Sequence, residues 1–488
     1  MSIVVGIPNN NFLLSTDAED QIFGSESNDN ISTTQENNVV VGTGGNVSLL
    51  DSGGNLSLLG GGGNLSLLGG GGNVSFLSGA GNNTLVGGAG DDTLVGGAGD
   101  DTFKGSGGND SIDGGDGFDT ADYSQLNKSI TLSGVGTVEK ADKFGKDQLF
   151  KVEKVIADAS VANNTIDASQ SLSGVSATAD LEAQTISAFN VPGLGTLTFN
   201  VVNFANVIGT NEADSIKGDS QNNQLTGLAG NDLIDGRGGN DLIDGGSGND
   251  TLIGGGGDDT FKGSGGNDSI DGGDGFDKAD YSQLGKAITL SGVGTITKAD
   301  GFGTDQVFKV ETVIADAGVA NNTIDASQSL SGVSATADLE AQTISANNVP
   351  ILGKLTFNVL NFDNVIGTNE SDSISGDSQD NRLVGNAGND TISGGLGNDT
   401  IIGGEGNDVL TGGFGADKFT FNSAKEGFDI IKDYNFAQGD VIQVSKVGFG
   451  TTKISDFSYD TSSGNLSFLG NQFASLENLP SNVNIQLG

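Results

Sequence analysis

Residues Asp20, Asp29, Asn38, Val47, Leu56, Leu65, Val74, Asn83, Asp92, Asp101, Asp110 and Asp119 stand nine apart without a slip. Two places after each comes Ile22, Ile31, Val40, Leu49, Leu58, Leu67, Phe76, Leu85, Leu94, Phe103, Ile112 or Ala121. A strict short period with one recurring apolar residue predicts stacked rungs, each touching only its neighbours. A flexible Gly-rich linker has no reason to keep an apolar side chain in phase. The glycine content, 83 of 488 residues, also argues against a conventional core.

The later repeats spell out a ligand set. Gly87-Gly88-Ala89-Gly90-Asp91-Asp92-Thr93-Leu94-Val95 reads G-G-x-G-x-D-x-U-x, with U a large apolar residue. Glycine tolerates φ > 0 and so permits a tight turn. Turn carbonyls and an Asp carboxylate are hard oxygen donors of the kind calcium takes. The x-U-x that follows is a short strand with one inward residue. The pattern resembles the RTX, or haemolysin-type, calcium-binding repeat. That resemblance implies a parallel β-roll.

The register returns at Asp214, Asn223, Asp232, Asp241, Asp250, Asp259, Asp268 and Asp277, and again at Asp372, Asn381, Asp390, Asp399, Asp408 and Asp417. A duplication offset by 158 residues lies above it, with Asn163 to Ala188 identical to Asn321 to Ala346. The expected order is a lead (1–14), a first array (15–122), an insert (123–208), a second array (209–280), an insert (281–366), a third array (367–420) and a tail (421–488). The fold class is all-β: a parallel β-roll or β-solenoid in three arrays, joined by irregular β-solenoid inserts and closed by a β-rich C-terminal cap. The inserts carry short β-prone pieces separated by Gly and Asn, which read as irregular coils of the same solenoid. A small β-sandwich budding from the side is the alternative. The inserts also resemble those of cyanobacterial surface RTX proteins of the oscillin kind.

The candidate calcium ligands are Asp92, Asp101, Asp110 and Asp119 in the first array. Asp214, Asp232, Asp241, Asp250, Asp259, Asp268 and Asp277 are those of the second, and Asp372, Asp390, Asp399, Asp408 and Asp417 those of the third. Stacked in pairs 18 residues apart, they suggest on the order of ten ions. A formal net charge of −42 suits divalent cations. It opposes binding to nucleic acid, itself a polyanion, and adsorption to anionic lipid. No apolar run reaches the length of a membrane span. With no Cys there are no disulfides, and with no His or Cys the common zinc sites, histidine bases and thiol nucleophiles are excluded. No catalytic role is expected.

Repeats at 42–77 keep the period but place Val47, Leu56, Leu65 and Val74 at the ligand position. Hydrocarbon cannot bind calcium, yet complete burial of each such side chain contributes about 1.5–3 kcal/mol. Residues 38–86 are therefore expected to hold together without metal. The ninth position is apolar at Val41, Leu50, Leu59, Leu68, Leu77, Val86 and Val95. With two nonapeptides per turn these form two outer stripes, one per face. Exposed apolar stripes mark contacts, unless other residues fold over them. The Asn-x-Ser triplets at Asn46, Asn55, Asn64 and Asn73 look like glycosylation acceptors, but a ladder of stacked Asn is the expected role.

The tail contains Asp429-Ile430-Ile431-Lys432-Asp433-Tyr434 and Gly439-Asp440-Val441-Ile442-Gln443-Val444. This block resembles the end of the serralysin β-roll, and the surrounding aromatics are expected to build a cap. The first residues lack the basic and apolar regions of a signal peptide. The RTX resemblance implies export by a type I system through an uncleaved C-terminal signal. Residues 461–488, with Glu477 their only charge, are compatible with one. The expected product is a secreted, calcium-binding structural protein that assembles with itself into a surface fibre or layer. The alternative is an adhesin that binds carbohydrate or a surface through its solenoid faces.

Overall fold

The computed structural model describes every residue except Met1, Thr16, Glu36, Thr43 and Val293, so Met1 of the lead lies outside the described residues. It divides into two compact units, Met1–Asp250 and Thr251–Gly488. The second unit begins at the residue that the 158-residue offset matches to Thr93.

In the first unit the chain winds through two parallel sheets with a register of 18 residues. On one face Ile22 pairs with Val40, Val40 with Leu58, Leu58 with Phe76, Phe76 with Leu94 and Leu94 with Ile112. On the other, Leu13 pairs with Ile31, Ile31 with Leu49, Leu49 with Leu67, Leu67 with Leu85 and Leu85 with Phe103. Each turn therefore spends one nonapeptide on each face. Neither face closes into a barrel, because a strand finds its partners in the rungs above and below it. The strands alternate strictly. In Val47–Asp51, Val47, Leu49 and Asp51 are buried while Ser48 and Leu50 face outward. Inward Leu, Ile, Val and Phe thus form a continuous thin core between the faces.

The winding starts earlier than the sequence suggested. Ile3–Val5 pairs with Gln21–Phe23, and Asn11–Ser15 with Asp29–Thr33. The segment expected to be a lead is the first rung.

The inserts continue the two sheets, as expected, but not as coils of parallel strands. Ser111–Asp116 is followed by Gly145–Phe150 in parallel, then Thr137–Lys140 and Ile130–Ser133 antiparallel, and then Thr165–Asp167 in parallel again. The opposite face receives Gly195–Val202, Thr185–Val191 and Ser176–Asp180 in the same way. A three-stranded meander is thus spliced into each face without breaking the hydrogen-bond ladder.

The second unit repeats this design. Gly303–Phe308, Thr295–Lys298 and Ile288–Ser291 form one meander, and Gly353–Leu360, Thr343–Val349 and Ser334–Asp338 the other. Beyond the third array, Asp429–Ile431 and Val441–Val444 extend the two faces. The next strands are Asn471–Leu476 and Ile485–Leu487. Above them Phe421, Phe449, Phe457, Phe468 and Phe473 pack as an aromatic cluster with ring centroids 5.0–6.2 Å apart. Phe449, on the short helix Lys446–Phe449, touches three of the other rings. Phe436, one of the aromatics expected in this cap, is instead exposed.

Candidate metal centres in the turn loops

The ligand-position side chains lie inside the turns that connect the two faces, where all of the candidate Asp residues are buried. They form a ladder along each edge. The Oδ1 of Asp110 accepts from the backbone N–H of Asp92 at 3.0 Å, and that of Asp119 from Asp101 at 2.8 Å. Asp232 is bonded in this way to Asp214, Asp390 to Asp372 and Asp408 to Asp390, all at 2.8 Å. One carboxylate oxygen of each rung is thus fixed by the preceding rung. The other oxygen separates the loops into classes.

In the first class the Oδ2 is buried and has no hydrogen-bond donor. Asp92, Asp101, Asp119, Asp232, Asp277, Asp390, Asp399, Asp408 and Asp417 belong here. An unpaired buried acceptor is costly and calls for an explanation, such as an ion. The loop itself supplies one. The residue four before each Asp has positive φ: Gly88 at 113°, Gly97 at 104°, Gly115 at 108°, Gly395 at 106°. The preceding glycine opens a cradle. A Cβ on Gly96 would meet Asp101 Oδ2 at 2.2 Å and the Gly114 carbonyl oxygen at 2.5 Å, and one on Gly227 would meet Asp232 Oδ2 at 2.2 Å and the Gly245 oxygen at 2.6 Å. A carboxylate oxygen and a carbonyl oxygen from the next rung converge there with no donor between them. That donor set is all oxygen and suits calcium. Asp241, Asp250 and Asp259 share the backbone geometry, with positive φ at Arg237, Gly246 and Gly255.

Burial in this setting disfavours the charged carboxylate. It pushes Asp92, Asp232, Asp390 and Asp399 up to about 7, with neighbouring Asp residues adding to the effect. A cation in the cradle would relieve both causes.

In the second class the chain satisfies its own carboxylate. Thr210, outside the left-handed region, gives its N–H to Asp214 Oδ2 at 2.5 Å and its hydroxyl to Oδ1 at 3.0 Å. Thr368 does the same for Asp372 at 2.6 and 2.9 Å. Ser25 and Asp29 repeat the arrangement. The two threonine loops therefore hold two of the sequence-predicted ligands without leaving an orphan oxygen.

In the third class, Asp110 and Asp268 bind lysine. Lys140 Nζ lies 3.4 Å from Asp110 Oδ2, and Lys298 Nζ 3.3 Å from Asp268 Oδ2.

The ladder also recruits acids that lie outside the nonapeptide register. Asp110 N–H donates to Asp147, Asp119 to Glu153, Asp268 to Asp305 and Asp277 to Glu311. In the tail, Asp408 donates to Asp429 and Asp417 to Asp440. The sequence signal for these was the recurrence of an acid two residues before an inward Leu, Val or Ile, without the nine-residue spacing.

Three stretches of the chain match a known family. The model of the RTX calcium-binding nonapeptide repeat matches residues 59–94, 86–121, 208–243, 244–279, 362–392 and 384–419. These segments are RTX calcium-binding repeats. The RTX segments hold every loop of the first class. Among solved structures, the extracellular lipase LipA from Serratia marcescens is similar at 20% identity, with a TM-score of 0.21. The likeness covers 59% of this chain and 45% of the lipase, so the chain spans under half of that protein's length. No curated protein matches the chain.

The apolar repeats fill the same space differently. A Cβ on Gly60 would meet Leu65 Cδ1 at 2.4 Å, where the equivalent on Gly87 meets Asp92 Oδ2 at 2.0 Å. The triplet asparagines form a ladder, as expected. The N–H of Asn64 donates to Asn46 Oδ1 and that of Asn82 to Asn64 Oδ1, both at 2.9 Å.

Proposed function

We propose that this chain is a secreted, calcium-hardened structural protein that associates with itself into an extracellular fibre or surface layer. Calcium would be held by the first-class loops at Asp92, Asp101, Asp119, Asp232, Asp277, Asp390, Asp399, Asp408 and Asp417, and by the like-shaped loops at Asp241, Asp250 and Asp259. It would neutralise stacked carboxylates and cross-link consecutive turns. Residues 421–488 would serve as the cap and carry the export signal.

The observation that carries the assembly reading is the pair of outer leucine rows. Leu50 stacks on Leu68 on one face and Leu59 on Leu77 on the other, each between 44 and 51% exposed. Among the described residues nothing folds back over them. Such rows on a rigid sheet give a contact that repeats from one copy to the next, and a contact that does not close into a ring produces a filament. Electron microscopy of the purified chain, with and without calcium, tests this. Ordered filaments or sheets in calcium support it, and monodisperse particles at every concentration refute it.

A second reading, an adhesin for carbohydrate, draws on one feature. Asn28, Asn46, Asn64 and Asn82 line an open trough with Ser48 and Ser66. Their amides and hydroxyls offer the donors and acceptors that sugars use. Glycan-array binding by a monodisperse particle would favour it over the first reading.

A further inference from the structure

We propose that Lys140 and Lys298 are built-in cations. Each ammonium supplies, where an array enters an insert, the positive charge that a calcium ion would supply in the neighbouring loops. Asp110 and Asp268 are then ligands of lysine rather than of calcium.

Lys140 sits on the middle strand of the first meander and points inward, fully buried. Its Nζ donates to the Ser106 carbonyl at 2.8 Å, to Asp110 Oδ2 at 3.4 Å and to Asp147 Oδ1 at 2.5 Å. An ammonium has three donors, and three oxygens of the turn accept them. The acceptors are a carbonyl and two carboxylates, oxygen types also found at the first-class cradles, although the carbonyl here belongs to the same rung as Asp110. The cluster is closed by Tyr123, buried, whose hydroxyl donates to Asp147 Oδ2 at 2.7 Å. Its ring also covers Gly105, where a Cβ would meet Tyr123 Cδ1 at 2.3 Å rather than a carboxylate oxygen.

The backbone agrees. Ser106 stands where Gly88, Gly97 and Gly115 adopt positive φ, and it is not left-handed. Its carbonyl faces the lysine and its hydroxyl donates to Asp110 Oδ2 at 3.1 Å.

The second unit shows the same arrangement. Lys298 Nζ donates to Asp268 Oδ2 at 3.3 Å and to Asp305 Oδ1 at 2.6 Å, and Tyr281 donates to Asp305 Oδ2 at 2.7 Å. A buried charge is tolerated only when paired and hydrogen-bonded; Lys140 has three acceptors, and Lys298 is paired with two carboxylates.

A tethered ammonium does not depend on metal concentration. The two junctions should therefore be ordered before calcium arrives and present finished edges on which the arrays can propagate, as repeat proteins do. The inference rests on the calcium reading of the arrays only for this contrast.

Hydrogen-exchange mass spectrometry on the full chain in chelator tests it. Peptides within 106–112, 137–149, 264–270 and 295–307 should stay protected. Those within 86–101 and 385–404 should exchange at coil rates and slow only when calcium chloride is added. Junction peptides that exchange at coil rates in chelator would overturn the proposal. Array peptides protected in chelator would sink the calcium reading instead. The double variant Lys140→Ala/Lys298→Ala supplies the second arm. Junction protection should be lost in chelator and regained with calcium, because the vacated oxygens now accept the ion. Protection that is unchanged, or lost and not regained, shows that the ammonium does not stand in for calcium.

Discussion

The repeats at 56–77 and those at 92–119 share a period, a register and an inward residue, yet their turns are built on different physics. In the first, Leu56, Leu65 and Val74 fill the turn with hydrocarbon, each almost completely buried. In the second, Asp92, Asp101 and Asp119 place an unpaired oxygen there. The backbone follows the filler. Gly61 and Gly70 stay out of the left-handed region, whereas Gly88 and Gly97, at the same place in their repeats, enter it. One scaffold thus accepts either an apolar plug or an ion socket. On the proposed reading the first would be held by burial, and the second would be completed when charge is supplied.

Removing calcium should break this comparison most visibly. In chelator, circular dichroism should lose most of the β signal of the RTX arrays, because repelling carboxylates and entropy-rich glycines no longer repay folding. Hydrogen exchange should show Leu56–Leu77 still protected. Equal exchange in 56–77 and 92–119 would mean that the apolar filling does not hold its rungs.

Exchanging the fillers comes next. Leu65→Asp together with Val74→Asp places carboxylates in turns that lack the left-handed residue. The local opening free energy, measured by hydrogen exchange, should fall by about 3 kcal/mol or more per site. The converse, Asp399→Leu, should make that rung less dependent on calcium. An aspartate double variant as protected as the parent would show that the turn adapts to either filler.

A smaller effect is expected from pH. Asp92, Asp232, Asp390 and Asp399 titrate near 7 in the fold, raised chiefly by burial, against an ordinary value near 3.8. Between these values the folded state holds protons that the unfolded state has released. Their contribution is complete below about pH 4 and is lost as pH rises through 7. The metal-free arrays should therefore gain β structure when pH falls from 8 to 5, while 56–77 does not respond. Dichroism in chelator across this range checks it, and a flat profile contradicts it.

The smallest effect on folding should come from the outer rows. Replacing Leu50, Leu59, Leu68 and Leu77 with Ser changes exposed positions, so each should alter stability by no more than about 0.5 kcal/mol. Calcium binding should persist while self-association weakens. Sedimentation velocity measures this. An unaltered critical concentration would show that the rows are not the interface.

The sequence by itself determined the parts governed by local pattern. The alternation of apolar and polar residues at a nine-residue period gave the inward and outward rows, whereas the 18-residue turn was implied only by the β-roll resemblance and is fixed by the strand pairing. The two rows follow from strand geometry and need no knowledge of distant residues. Only the tertiary structure decided which aspartates keep a free oxygen. Thr210 and Thr368 cap their own acids, and this could be read from residue type only once the turn was seen. Leu228 and Arg237 adopt φ of 83° and 69° although neither is glycine. Arg237 is held by a two-pronged contact with Asp180, 57 residues away. The meander strands were legible as β-prone, but not their direction, since short pieces separated by glycine pair either way until a neighbouring rung fixes them. The lysines were least visible of all. Lys140 reaches Asp110 across 30 residues. Its role exists only because the meander folds back over the last turn of the array, where a buried ammonium and a buried carboxylate each require the other.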